Sequence, residues 1–283
     1  MIPSQVLTWC MDNGYGKITT TQPVGGGCIN HGTRLATTSG KTFFLKTNPN
    51  APEMMFLREI EGLHALLTQD GPFVPQVYCY GEDFILMEDL APAAPMRDYW
   101  SAFGRRLAAL HEHTHHRFGF EHDNYIGSTV QPNTWNSDGF AFFSQNRLLF
   151  QAGLARQRRL ISDDDYRRVE SITRRLADLV PAQPSSLIHG DLWSGNAITD
   201  HLGQPAIIDP AAYYGWGEAE LGMTALFGGF PNEFYRAYEE VRPLTPGWRS
   251  RLPIYNLYHL LNHVNLFGAG YLSQTRAILQ KFT

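Results

Sequence analysis

"SSLIHGDLWSGNAITDHLGQPAIIDPAAYYG", residues 185–215, sets His189, Asp191, Asn196 and Asp209 in a polar interruption between apolar runs. "SLIHG" and "PAIIDP" read as short strands, and the Gly/Ser-rich piece between them reads as a loop. Two carboxylates and an amide in such a loop are turn residues, ligands for a divalent cation, or both. Oxygen donors suit a hard cation.

Around this segment the chain is ordinary in bulk. It has 283 residues, 43% hydrophobic and 18% charged, enough for two lobes of unequal size. A net charge of −4 speaks against a nucleic-acid binder. Cys10, Cys28 and Cys79 form no CxxC pair, so neither a disulfide framework nor a structural zinc site is expected. "MIPSQVLTWCMDNGYG" lacks the features of a secretory signal, and no run is long enough to span a bilayer. A cytoplasmic protein without membrane partners is the expectation.

Upstream of the segment, the pattern predicts a short opening helix, three strands, a helix starting at Pro52-Glu53, and two more strands ending in "FILMEDL". "APAAPM", residues 91–96, separates this from a stretch rich in helical periodicity. The expected organisation is a lobe at 1–90, a connector at 91–96 and a larger lobe at 97–283. Ser162 and Asp165 stand three apart before an apolar-periodic run, which predicts a capping box. The histidines in "LHEHTHH" and "YHLLNHVNLF" read as helix-terminal or packing residues rather than metal ligands.

The chemistry narrows with spacing. Asp191 and Asn196 are five apart, the interval of a protein-kinase catalytic loop. There the Asp accepts the proton of the attacking hydroxyl and the Asn offers an amide oxygen to Mg²⁺. Asp209, ending "IID", takes the place of the metal-binding Asp of the kinase DFG motif. Upstream, Gly25, Gly26, Gly27 and Cys28 sit between two predicted strands. Alone they read as a hairpin turn. Ahead of a strand ending at Lys46 they are a candidate lid over ATP phosphates. Lys46 needs an acidic partner, for which Glu59 is preferred over Glu61. In "FILMEDL", Met87 would line a base pocket, with the Glu88 carbonyl and the Leu90 amide facing adenine.

Taken with "PVGGGCIN", "FLREIEGLHAL", "DNYIGSTVQPNTW", "LFGGF" and "PIYNLYHLLNHVNLFGAGY", the segment resembles the fructosamine/ketosamine 3-kinase family over nearly the whole chain. The resemblance implies an α+β, protein-kinase-like fold with two lobes: a small antiparallel-sheet lobe with one main helix, and a larger, mostly helical lobe. It implies ATP and Mg²⁺ as cofactors, and phosphorylation of the sugar 3-hydroxyl of small or protein-bound ketosamines, which destabilises the adduct. Carried over by position, Asp191 is the base, Asn196 and Asp209 bind metal, and Lys46 with Glu59 positions phosphate. Cys28 matches a loop cysteine of the family. Trp193, Tyr213, Tyr214, Trp216, Asn133 and Trp135 are candidates for the acceptor site. Where the family usually has Arg and Asp, this chain has Gly217 and Glu220, which bears on acceptor preference. A monomer is expected, with a dimer as the alternative. The competing readings are an aminoglycoside- or choline-type kinase, and a nucleotide-binding pseudokinase.

Overall fold

A computed structural model of the chain describes residues 2–25 and 30–283. Helix α1 (Ser4–Asp12) precedes strands β1 (Ile18–Val24), β2 (His31–Thr37) and β3 (Thr42–Thr47). Then come α2 (Met55–Leu66), β4 (Val77–Tyr80) and β5 (Phe84–Glu88). The strands form one antiparallel sheet in the order β1-β2-β3-β5-β4. Alternation along the strands sorts side chains to its two faces. Phe43, Leu45, Phe84 and Leu86 pack with Val6 and Cys10 of α1. Phe44, Ile85 and Met87 pack with Phe56 and Ile60 of α2. Lys46 shares the face of Phe44, so period two alone aims it at α2.

The remainder is mostly helical, with short strand pairs. It comprises α3 (Tyr99–His111), β6 (Thr114–His115), β7 (Asn124–Ile126), β8 (Thr129–Gln131) and α4 (Gly139–Phe142). A π-helical stretch, Phe143–Leu149, leads into α5 (Phe150–Gln157), α6 (Asp163–Arg174) and α7 (Leu176–Leu179). Next are β9 (Ser185–Ile188), β10 (Ala197–Thr199), β11 (Pro205–Ile207) and β12 (Tyr213–Gly215). Helices α8 (Gly217–Leu226), α9 (Asn232–Val241), α10 (Trp248–Phe267) and α11 (Leu272–Phe282) close the chain. The α+β division into an antiparallel-sheet part and a helical part agrees with the expectation. The Ser162–Asp165 capping box is present as the spacing predicts. The final helical run is interrupted instead: Gly268, at φ +81°, ends α10, and a 3₁₀ turn leads into α11.

Several contacts seat the sheet on the helical part. Phe73 exchanges backbone hydrogen bonds with Pro205 and Ile207 (2.9 Å each). Leu63, Leu66 and Val74 belong to the large core with Phe103, Leu107 and Ile207. Residues 91–96 are pinned as well: Ala93 N donates to Asp200 O (3.1 Å), and Met96 N donates to Gly203 O (3.0 Å). Among the described residues no helix is long and apolar enough to cross a membrane.

Candidate active site

The loop after β9 is held by its own backbone. Trp193 N donates to Asp191 O (3.1 Å), and Asn196 N to Trp193 O (3.0 Å). The Trp193 ring lies so close to Gly195 that a Cβ there would be 2.3 Å from it. Gly190 has φ +83°, and its Cβ would sit 2.1 Å from Ala211 O, so only glycine fits. His189 Nε2 donates to Ile208 O (2.8 Å), while Nδ1 accepts from Asp191 N (3.2 Å). That network assigns the neutral tautomer, and burial lowers the His189 pKa in the same sense.

Asn196 Nδ2 donates to Asp191 O (2.8 Å) and to Asp191 Oδ2 (3.3 Å). With the amide nitrogen committed to the loop, Oδ1 is left as the available donor atom for a cation. Asp209 follows β11 at φ +57°, an uncommon conformation for a non-glycine residue. Its side chain is 40% exposed, and Oδ1 accepts from Lys46 Nζ (3.0 Å). Lys46 also donates to both oxygens of Glu59 (2.7 and 2.8 Å). Glu59 lies three residues from Phe56 on the buried face of α2, so helical periodicity delivers it to Lys46. Glu61 pairs instead with Arg58 (2.6 Å). Burial opposes the Lys46 charge, but Asp209 and Glu59 outweigh it and raise its pKa. Asp191 moves well above the usual carboxylate range. Burial is the main cause, followed by the charges of Asp209 and Glu220, against a hydrogen bond from Asn196.

A second carboxylate supports the loop from below. Glu220, on α8, is 1% exposed. It accepts from His189 N (2.5 Å) and Gly190 N (2.9 Å). His111 lies between Glu220 (Nε2, 3.5 Å) and the Tyr238 hydroxyl (Nδ1, 2.7 Å). A Cβ on Gly217 would be 3.0 Å from His111 Nδ1 and 3.2 Å from the Tyr238 hydroxyl. Gly217 therefore faces a packed interior and not an acceptor rim. Glu220 supports the backbone of the loop after β9, and Gly217 sits against the His111 that Glu220 contacts. The sequence marked both positions, but residue type alone could not say which way they point.

Of the nucleotide-contact candidates, Met87 is buried against α2, and Glu88 N donates to Gln76 O (2.8 Å). The Leu90 amide, just past β5, makes no hydrogen bond among the described residues. Gly25 is exposed, with nothing within 4 Å of its Cβ direction. Gly26, Gly27 and Cys28 lie outside the described residues.

The acceptor candidates divide. Trp193 is half-buried within the loop after β9. Tyr214 and Trp135 form a half-buried cluster with His115, whose ring is 4.5 Å from Trp135 and 5.1 Å from Tyr214. Tyr213, Trp216 and Asn133 are core residues. Tyr213 lies under Arg147, and Trp216 packs on Phe140 and Phe143. Asn133 is wholly enclosed, with both ends of its amide engaged. Strand alternation sends neighbouring Tyr213 and Tyr214 to opposite faces, which aromatic composition does not reveal. Arg147, Gln131 and Asn124 went unnoticed in the sequence, since nothing local marks a buried Arg in a helical run.

The sequence pattern of the fructosamine kinase family matches residues 3–283. The chain is 41% identical to a "probable ketoamine kinase" of Synechocystis over 94% of this chain and 90% of that one. It is 42% identical to a chloroplastic protein-ribulosamine 3-kinase of Oryza sativa, over 98% of this chain and 83% of the relative. A solved protein of Thermobifida fusca with a provisional fructosamine-3-kinase name superposes with a TM-score of 0.89 at 33% identity, over 99% and 98% of the two chains. An aminoglycoside phosphotransferase solved with ADP and hygromycin B gives 0.62 at 16% identity over 98% of each chain, a likeness of fold alone.

Proposed function

This chain belongs to the fructosamine kinase family, and from that premise we propose that it transfers the γ-phosphate of ATP to the sugar 3-hydroxyl of ketosamines. The acceptors would be ribulosamine, erythrulosamine or fructosamine adducts on amines or protein lysines. One observation carries the chemical part of this reading. Lys46 is held by Glu59 and Asp209 together, next to a loop whose half-buried Asp191 is tied to Asn196.

The residues divide the work. Asp191 orients the acceptor hydroxyl and takes its proton, and its raised pKa makes it a stronger base than an exposed carboxylate. Lys46, kept charged by its two acids, draws charge from the phosphates. Glu59 keeps Lys46 from turning toward solvent. Asn196 Oδ1 and the half-exposed Asp209 carboxylate are hard oxygen donors that fit Mg²⁺, with room left for phosphate oxygens. When bound, that ion would neutralise phosphate charge. The Leu90 amide is free to meet the adenine edge. Trp193, two residues from Asp191, would cover the sugar. A cytoplasmic, monomeric protein completes the proposal.

The test is an acceptor panel followed by ³¹P resonance. Phosphorylated product is expected with ribulosamine and not with choline or kanamycin. Turnover confined to choline or kanamycin would refute the acceptor assignment. Asp191→Asn should retain Mg-ATP binding while losing most turnover, and wild-type rates in that variant would remove Asp191 from the role of base.

A further inference from the structure

Among the described residues, Arg147 is the largest fully enclosed side chain, in the π-helical stretch between α4 and α5. Its hydrogen bonds go to neutral oxygens: Pro132 O (2.6 Å), Asn133 Oδ1 (2.7 Å) and Asn146 O (3.1 Å). The guanidinium lies 3.9 Å over the Tyr213 ring and 4.6 Å over that of Phe142. A buried cation without a carboxylate contributes little to stability, because its desolvation is poorly offset. What it does provide is direction.

The contacts run on from Arg147 as a chain of amides. Asn133 Nδ2 donates to Asn124 Oδ1 (2.9 Å), and so does Gln131 Nε2 (2.7 Å). Gln131 Nε2 reaches Ala211 O (3.0 Å), and Asn124 Nδ2 reaches Ala212 O (2.8 Å). Tyr258 donates to Gln131 Oε1 (2.6 Å) and fixes which way that amide faces. Asn124, Gln131, Asn133, Arg147 and Tyr258 are all buried.

The chain ends on two consecutive carbonyls just beyond Asp209. The same short segment grips both halves of the site. Ala211 N donates to His189 O (2.9 Å), and Ala211 O is the atom that permits only glycine at 190. On its other side, Pro210 and Ala212 lie 3.3 and 3.4 Å from the Cβ direction of Gly62, one turn along α2 from Glu59. We propose that Arg147, Asn133, Asn124 and Gln131 form a positioning frame that sets the spacing of Asp191 and Asp209 through residues 211–212. This rests on the reading of those two carboxylates as base and metal ligand.

The test uses Gln131→Met and Arg147→Met, which keep bulk and remove the polar contacts. Calorimetry with AMP-PNP, with and without Mg²⁺, reads the metal-dependent part of nucleotide binding. The expected result is a loss of about tenfold or more in affinity with Mg²⁺, and about twofold or less without it. For ribulosamine, kcat should fall by about 10²-fold with little change in acceptor KM. Asn133→Asp keeps the Arg147 acceptor but sets a second oxygen against Asn124 Oδ1 and His122 O, so it should show the same Mg²⁺-dependent loss. If Arg147→Met does not fold, Gln131→Met and Asn133→Asp decide the matter. The frame is overturned if these variants melt earlier yet keep Mg²⁺-dependent affinity and kcat within about twofold of wild type below their melting temperatures. Wild-type protein that binds Mg-AMP-PNP but leaves ribulosamine untouched would overturn the acceptor assignment, with the frame still judged on binding.

Discussion

At the scale of single residues, Asp191 shows how a site trades stability for reactivity. Its pKa is raised by burial first, then by the charges of Asp209 and Glu220. A carboxyl group whose pKa is higher folded than unfolded stabilises the protein fully below the unfolded value, about 4. That contribution is lost as pH rises through the folded value. Above that folded value the ionised Asp191 therefore works against folding. Asp191→Asn is expected to melt higher than wild type at pH 8, with the gain shrinking as pH falls toward 4. A variant that melts lower at pH 8 would contradict the assigned direction of the shift. The same shift places the acid limb of kcat/KM, which reports the free enzyme, above the ordinary carboxylate range, as a pH–rate profile reads directly. Gly190 is the other residue with a sharp expectation. At φ +83°, with Ala211 O 2.1 Å from a Cβ, Gly190→Ala must displace either the catalytic loop or residue 211. Activity should fall by about 10²-fold or more. Near-wild-type kcat in that variant would show that the loop tolerates the shift.

At the scale of elements, α6 and α8 show what spacing reveals and what it hides. The α6 capping box was legible because Ser162 and Asp165 act across a fixed local interval. Arg276 of α11 also binds Asp165 (2.8 Å) and, with the backbone and hydroxyl of Ser162, holds its pKa down to about 2, against the effect of burial. A depressed carboxylate contributes stability above its unfolded pKa, about 4, and loses it as pH falls through about 2. Asp165→Asn should cost about 1 kcal/mol at pH 7. The cost should fade as pH falls from about 4 toward about 2, as chemical denaturation at each pH would show. A penalty that stays constant down to pH 2 would contradict this. Helix α8 was not legible in this way. Glu220 acts on His189 and Gly190, about 30 residues back along the chain, and that pairing exists only once α8 packs beneath β9. The π-helical stretch was hidden for a related reason. "GFAFFSQNRLLFQAGLARQ" has the periodicity of one helix, and no residue in it marks where the turn widens.

Across the whole molecule, the two-part α+β architecture could be read from patterning, because period two and period 3.6 occupy different halves of the chain. The way the halves join could not. Phe73 pairs with β11, Leu63 and Leu66 enter the large core, and Lys46 reaches Asp209 across 163 positions of sequence. Such links make the sheet and the helical part unfold together, so a single melting transition is expected. Nucleotide bound between Lys46 and Asp209 should then stabilise the entire chain rather than one lobe. At a ligand concentration 100 times Kd the gain is about 2.7 kcal/mol. For a chain of this size that corresponds to a rise in Tm of roughly 4–5 °C. Differential scanning fluorimetry with AMP-PNP and Mg²⁺ should show one transition moving up as a unit. Asp209→Ala should lose most of the Mg²⁺-dependent shift, because it removes both a metal oxygen and the second acid on Lys46. Two separable transitions, of which the ligand moves only one, would mean that these links do not couple the sheet to the helical part. An undiminished shift in Asp209→Ala would mean that the nucleotide is held without that carboxylate.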